Sequence, residues 1–517
     1  LICPQIPEEY CAGIIFTPMS SIRRQSIISS VVIYIGFGIG LFNIYLFTKQ
    51  GIFLDEQYGL YNAFIAIATM MMAFSSLGMP TYIYKFYPYY KEHLPDKKND
   101  QAAIALATGI IGFILIIIAG FVFKDLVVKK YGTNAPEVVI YYKWIFPLGF
   151  GLLIFTILEA WAWQIHKSVF TNLLKEVFWR LFTTVLIVLF ALGVINFDVF
   201  VKIFSFSYPF IALVLLAYLL YSKKINFHFR FSKVSRRFSK SIVKLSSFVY
   251  VGLIVFNLSL VFDSLVISSL LDDALTQLAV YSVAQNIASM IQAPQRGIIA
   301  ASISHLSKAW KDKNMELIQR VYQRSSINQL IFACGLYSLV ILNLTDAVIT
   351  FQLKDTYLNA YYVIIFLGLT KVIDMGTGVN SQIIATSTFW KFEFISGVIL
   401  LTVMLPLSYL FTKEYGIVGT AVAQLISISV YNLVRIVFLW KKFRLFPFSV
   451  HTLQTVLLAG VSYAACYFAF IHTHGWAGLF LRSIVFILIY AAGVIYMKLS
   501  PDIQPVLQTI KKRLRIK

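Results

Sequence analysis

The sequence predicts an all-α polytopic membrane protein of about fourteen transmembrane helices, arranged as two pseudo-symmetric six-helix lobes and a C-terminal helix pair. Three observations predict it. About fourteen apolar stretches fill almost the whole chain, each near the 20 residues a helix needs to cross a hydrocarbon core of roughly 30 Å. The basic residues between them fall mainly in every second gap. A set of matching residues recurs at a constant spacing between the two halves.

The elements follow in order. The N-lobe, 19–221, holds stretches at 27–47, 58–79, 101–123, 141–163, 176–196 and 199–221. The C-lobe, 245–440, holds 245–270, 277–300, 327–350, 359–388, 392–411 and 417–440. The pair 450–471 and 476–497 lies within 441–498, and a basic tail occupies 499–517. None shows the period-two alternation of a barrel strand, so in lipid they are helices. The stretches 245–270 and 359–388 are long enough to tilt or kink. Pro147, Pro209, Pro294 and Pro406 fall within stretches, where each removes a backbone donor. Gly36 and Gly40 stand four apart, a spacing that lets helix backbones approach closely. Tyr84, Phe86, Tyr87, Tyr89 and Tyr90, interleaved with Lys85 and Lys91, read as an interfacial aromatic belt.

Composition closes off other classes. A mean hydropathy of +0.77 excludes a soluble globular chain. Charged residues make up 13%, about half the usual share. Outside the stretches no run exceeds about 30 residues, too few for an extramembrane domain of ordinary size. The net charge of +21 invites a nucleic-acid reading, but its placement argues for topology. With Arg23 and Arg24 cytoplasmic, the gaps on that side hold about 31 of the 44 Lys and Arg, the positive-inside pattern. Both termini are then expected to be cytoplasmic, nucleic acid is not expected as a partner and membrane lipids are, with anionic head groups adding to the topology signal. The segment 222–244 carries eight Lys and Arg and no acid, and reads as a basic cytoplasmic linker.

Cys3, Cys11, Cys334 and Cys466 show no metal or redox spacing, and His472 and His474 lack further ligands. No metal or cofactor is expected. Residues 1–18 contain Glu8 and Glu9 and no basic n-region, so they do not resemble a secretory signal. Met19 reads as a natural start, and 1–18 as a non-native or disordered extension.

The repeat supports two lobes. Tyr61, Ile67, Ala68, Met70 and Ala73 recur 220 residues later as Tyr281, Ile287, Ala288, Met290 and Ala293. Asp55 and Glu56 before the second stretch are echoed by Asp272 and Asp273 before the eighth. Tyr34 and Gly36 in the first are echoed by Tyr250 and Gly252 in the seventh. An even number of crossings separates the copies, so both have one orientation, a symmetry typical of transporters.

Polar groups inside apolar stretches mark the candidate site, because a charge near the bilayer centre costs about 2.5–3.5 kcal/mol on insertion scales. Gln285, Ser289, Gln292 and Arg296 are spaced to form one stripe on the eighth helix. They read as a polar cavity wall ending in a cation; the plainer alternative is interhelical hydrogen bonding with Arg296 snorkelling to the surface. Lys371 and Asp374 stand three apart in the tenth, with Gly378 and Gln382 expected on the same face. Lys371 is a candidate for attracting an anion. Asp374, Asp263 in the seventh stretch and Glu159 in the fourth are candidates for coupling to H+ or Na+. For each the plainer reading is structural: an ion pair of Lys371 with Asp374, a hydrogen-bonded Asp263, and Glu159 paired with Lys175 or Arg180.

Particular segments resemble a known family. They are the Arg23, Arg24, Gln25, Ser26 start before a glycine-rich first stretch and Tyr58, Gly59, Leu60, Tyr61 at the second. GTGVNS at 376–381, Thr386 with Ser387, and YGIVGTA at 415–421 complete the set. From about Ser20 to Met497 the chain resembles the polysaccharide flippases, the Wzx-type O-antigen and capsule flippases of the multidrug/oligosaccharidyl-lipid/polysaccharide exporter superfamily. The resemblance implies a non-enzymatic transporter of the bacterial cytoplasmic (inner) membrane, serving lipopolysaccharide and other surface polysaccharide. It implies two six-helix lobes, alternating access and a lipid-linked oligosaccharide cargo on undecaprenyl pyrophosphate. It also implies polysaccharide-assembly machinery as a partner. Family cavities tend to be cationic, which here points to Arg296 and Lys371, with Lys49 and Arg180 behind them. Two other classes compete. A cation-coupled drug or metabolite exporter of the same superfamily predicts a more acidic site and no need of a thirteenth and fourteenth helix. A membrane-embedded polymerase needs a catalytic constellation that the short non-cytoplasmic loops do not offer.

Overall fold

The computed structural model describes residues 16–389 and 391–502; the side chains of 16–27, 29, 30, 96, 248, 249, 296, 300, 301 and 304 lie outside the described set. Of the expected N-terminal extension, 1–15 therefore falls outside it, as does most of the basic tail. The described chain is helical throughout, apart from one isolated bridge between Lys49 and Leu353. Eleven of its helices are long and apolar enough to cross a membrane. One of these, Lys391–Phe443, covers two predicted stretches and changes direction at Gly416 (φ 60°, ψ −145°). The chain divides into two compact units, the first ending at Val261 and the second starting at Phe262, with Thr48–Gly51 belonging to the second.

Unit 1 begins with α1 (Phe16–Thr48) and α2 (Asp55–Ser75). Gln57 Oε1 accepts the Leu54 N–H at 3.0 Å, and Asp55 and Glu56 lie in the first turn, where the helix dipole favours acids. Then come α3 (Met79–His93), α4 (Gln101–Val122), the short α5 (Lys124–Tyr131) and α6 (Pro136–Ile140), and α7 (Tyr142–Gln164). The fifth predicted stretch is composite. It follows α8 (Ser168–Asn172) with a π-helix, Leu173–Phe178, that runs into α9 (Trp179–Ala191). The sixth is broken at Phe206 into α10 (Phe197–Ser205) and α11 (Ser207–Tyr221). Pro209 thus sits in a first helical turn, where its missing N–H leaves no bond unmade. Phe47, Phe53, Tyr58, Phe200 and Phe204 form an aromatic core in which Phe47 stacks on Tyr58 at 4.8 Å.

The glycine spacing in α1 does what the sequence predicts. A Cβ on Gly36 would lie 2.4 Å from the Glu176 carbonyl oxygen, and one on Gly40 2.6 Å from Arg180 Nη1. Here α1 lies directly against the π-helix and α9. Gly36→Leu is expected to lower the thermal midpoint in detergent by overpacking worth about 1–3 kcal/mol, whereas the same change at Gly38, which has open space, is expected to leave it unchanged.

The final helix of unit 1, α12 (Lys233–Leu270), carries the unit boundary within it. The second half of the segment 222–244 is the start of this helix. Unit 2 continues with α13 (Ala274–Ile291), α14 (Gln295–Lys311), α15 (Met315–Thr350), α16 (Tyr361–Gly376), α17 (Asn380–Thr386), α18 (Lys391–Phe443), α19 (Val450–Ala469) and α20 (Gly475–Tyr496). The C-terminal pair α19 and α20 packs on α15: Tyr490 donates to the Ile331 carbonyl at 2.8 Å, and buried Arg482 pairs with buried Asp346. Local structure repeats where the sequence does. α2 and α13 each end in a short break, at 76–78 and 292–294, and each is followed by a further helix.

Candidate functional site

Two helices of unit 2 break within the apolar stretches predicted at 277–300 and 359–388, and the breaks share one polar network. α13 stops at Ile291 because Pro294 has no N–H to extend its ladder; Pro294 instead caps α14. The predicted single stripe is therefore divided. Gln285 and Ser289 are half-buried on α13, and Ser289 Oγ donates to its own helix at Asn286 O, 2.7 Å away. Gln292 lies in the break, and the Arg296 side chain lies outside the described residues. α16 stops at Gly376. Gly378 takes a left-handed φ of +67°, which glycine adopts without strain, and a Cβ there would lie 2.8 Å from Ser325 Oγ. Lys371 and Asp374 thus share α16, Gly378 is in the break, and Gln382 is on α17, so the four do not form the expected continuous face.

Asp374 is the hub. Its Oδ2 accepts from Gln292 Nε2 at 2.9 Å and from Gln295 Nε2 at 3.4 Å, and its Oδ1 accepts from Asn432 Nδ2 at 3.0 Å. Asn432, on α18, in turn accepts from Asn380 Nδ2 at 2.9 Å and from Thr377 Oγ1 at 3.1 Å. One carboxylate thus ties both breaks to α18. Gln295, Thr377, Asn380 and Asn432 were missed as site residues. Three of them had a signal: Thr377 and Asn380 lie in the GTGVNS segment, and Asn432 is a lone amide in an apolar run.

Among the described residues, Lys371 forms no hydrogen bond and no ion pair within 4.0 Å. The expected Lys371–Asp374 pair is thus not closed, although the ammonium interacts electrostatically with both Asp374 and Asp263. Asp263 is 3% exposed and accepts from Tyr281 OH and Ser408 Oγ, each at 2.8 Å. The described part of this cluster holds two carboxylates and one ammonium. Neutral donors already satisfy both acids.

A second charged centre stands beside the first. Arg435, one turn after Asn432 and 4% exposed, pairs with Glu393, meets Tyr431 OH and stacks over the Tyr431 ring at 3.7 Å. Glu393 Oε1 also accepts Ser381 Oγ at 2.7 Å, so this pair holds the start of α17 from its other side. In unit 1, buried Glu159 faces Lys175 Nζ at 3.6 Å, one of the two partners expected for it. Arg180, the other, pairs with Glu176 at 2.9 Å and donates to the Gly36 carbonyl at 2.6 Å. Arg180 is thus committed to packing α1. Lys49 pairs through its backbone with Leu353.

A family model described as polysaccharide biosynthesis protein matches residues 22–310, more than half of the chain. Among solved structures, the fold is similar to the lipid II flippase MurJ in an inward closed conformation (TM-score 0.69, 18% identity, 91% of this chain and 99% of that one). It is also similar to a multidrug resistance MATE family transporter of the MOP superfamily in an inward-facing conformation (TM-score 0.62, 17% identity, 80% and 94%). A point mutant of the Vibrio cholerae MATE transporter VcmN has the same general fold (TM-score 0.51, 14% identity, 82% and 97%). No curated protein matches the sequence. At these identities the likenesses are in fold.

Proposed function

Because the chain belongs to the polysaccharide biosynthesis protein family, we propose that it is a flippase moving a lipid-linked oligosaccharide across the bacterial cytoplasmic membrane by alternating access. The cargo proposed is an undecaprenyl-pyrophosphate glycan of Wzx type, for surface polysaccharide such as O-antigen. One observation carries the transport reading: two helices interrupted within apolar stretches around a shared polar network. Such breaks are tolerated in lipid only where the freed backbone is buried in protein or lines a wet path, and transporters place substrate and ion sites there. The free ammonium of Lys371 suits the pyrophosphate. Two features support a lipid-borne cargo over a drug. The flippase likeness covers 91% of this chain against 80% for the multidrug transporter, and the C-terminal pair is built firmly onto α15. Asp263, Asp374 and Glu159 are the carboxylates proposed for coupling to H+ or Na+.

One observation favours a second reading, a cation-coupled exporter: the described cluster has two acids to one lysine. Deletion separates the two. The flippase reading expects lipid-linked glycan to accumulate on the cytoplasmic leaflet and surface glycan to disappear, both restored by the gene. Normal surface glycan in a deletion strain with no redundant flippase rejects it; increased drug sensitivity there would install the exporter.

A further inference from the structure

The start of α12 is fixed to unit 1 on one face and bare on the other. Ser232 Oγ caps the helix by accepting the Ser235 N–H at 3.1 Å. Buried Asp100 accepts the Ser232 N–H at 2.8 Å and the Ser235 hydroxyl at 2.7 Å. Ser235 Oγ also meets Tyr90 OH at 2.7 Å, and Tyr90 OH meets Tyr82 OH at 2.7 Å. Val234 is buried, and Phe238 packs on Phe86 and Tyr89 of α3 at 6.0 and 5.2 Å. Further along, Tyr250 OH donates to the Phe74 carbonyl at 2.7 Å.

The opposite face is uniformly basic. At 3.6 residues per turn, Lys233, Arg236, Arg237, Lys240 and Lys244 fall within an arc of about 100°. All five are exposed. No acid occurs anywhere between Asp198 and Asp263. The exposed face of neighbouring α3 adds Lys85 and Lys91, with Glu92 as its acid. Just ahead, Arg230 stands between Phe229 and Phe231, which are 85% and 67% exposed, and Tyr221 at the end of α11 is 92% exposed.

Length sets the height of this face. At 1.5 Å per residue, the 38 residues of α12 run about 57 Å, against roughly 30 Å of hydrocarbon. The apolar part, 245–270, takes up the core, so the basic turns stand in the head-group layer and just beyond it. Charge alone would equally suit an acidic protein or a nucleic acid. The bare Phe and Tyr rings between the cations decide against those, because exposed aromatics interleaved with Lys and Arg belong at a membrane interface.

We propose that the exposed face of the first three turns of α12, together with the Arg230 segment, is a docking surface for anionic phospholipid head groups of the adjoining leaflet. The Asp100 clasp presents this face at a set height and orientation, so the surface is preformed. The proposal does not depend on the cargo.

The test uses the full chain in nanodiscs with a photoactivatable phosphatidylglycerol and, in parallel, a phosphatidylcholine probe of the same chain length. Phosphatidylglycerol is expected to label 229–244 and to lose that label at high salt, since exposed charges are screened within about 3 Å at 1 M. The variant R236Q/R237Q/K240Q/K244Q is expected to cut the label at least about fivefold while leaving the thermal midpoint unchanged. Should it not fold, F229S/F231S and R237Q/K240Q are expected to lower the label in the same segment. Equal labelling by the two probes, or undiminished labelling in the variants, would overturn the proposal. Displacement of the lipid label by an acidic peptide or an RNA oligonucleotide would assign the surface to a soluble partner and overturn it too.

Discussion

Replacing Arg435 by methionine is expected to destabilise unit 2 more than any other single change argued from this structure. Arg435 is 4% exposed and is held by Glu393, the Tyr431 hydroxyl and ring, and Ser396 Oγ at 3.3 Å. Removing it strands the Glu393 carboxylate, one oxygen of which is already buried without a partner. Breaking a fully buried pair by deleting one member costs about 3–5 kcal/mol, and the 28% exposure of the Glu393 side chain puts this pair toward the lower end of that range; replacing both members by neutral groups is often close to neutral. R435M should therefore show a sharply lowered midpoint, and R435M/E393Q should recover most of it. Cys334 and Cys466 are buried free thiols, so a thiol-reactive dye reports the unfolding once Cys3 and Cys11 are replaced by serine. A single variant that melts with the parent, or a double variant as unstable as the single, would show that the pair does not clamp α17.

The class of fold was legible because lipid leaves few options. Twenty apolar residues without alternation must be helical. The breaks were legible only in part. Pro294 signalled one, but a proline inside a long apolar run predicts a kink and a full stop equally well; here Pro294 ends the ladder, and neighbouring Gln292 and Gln295 donate to Asp374 across the break. Gly378 gave less warning, since glycine in membrane helices more often serves packing. A periodicity argument assumes an unbroken helix, so the stripes drawn through 285–296 and 371–382 failed where the helices did. The Asp374–Asn432 contact joins residues 58 apart. No local pattern encodes that pairing, and none encodes the pairing of Arg435 with Glu393, 42 residues apart.

The same partners decide what Asp374 does. Asp374→Ala should abolish glycan transport, but ambiguously, because it orphans the amides of Gln292, Gln295 and Asn432 at about 1–3 kcal/mol each. Asp374→Asn keeps the shape and one acceptor oxygen and removes the charge, but it turns the other oxygen into an NH2 that faces a donor, a loss of about 1–3 kcal/mol. If the carboxylate only clamps the two breaks, D374N should lower the thermal midpoint but, per folded molecule, transport nearly as well as the parent. The Lys371 geometry predicts otherwise: an ammonium with no closed ion pair depends on the field of Asp374 and Asp263 for its placement. D374N and K371M are each expected to lower transport per folded molecule at least about tenfold, or about 1.4 kcal/mol in the barrier, with the thermal midpoint kept in K371M. The double variant K371M/D374N separates the remaining roles. If Lys371 merely neutralises Asp374, removing both charges together should restore flux in a liposome flipping assay. If Lys371 holds the anionic head of the cargo, the double variant stays as inactive as K371M, and that is the expected result.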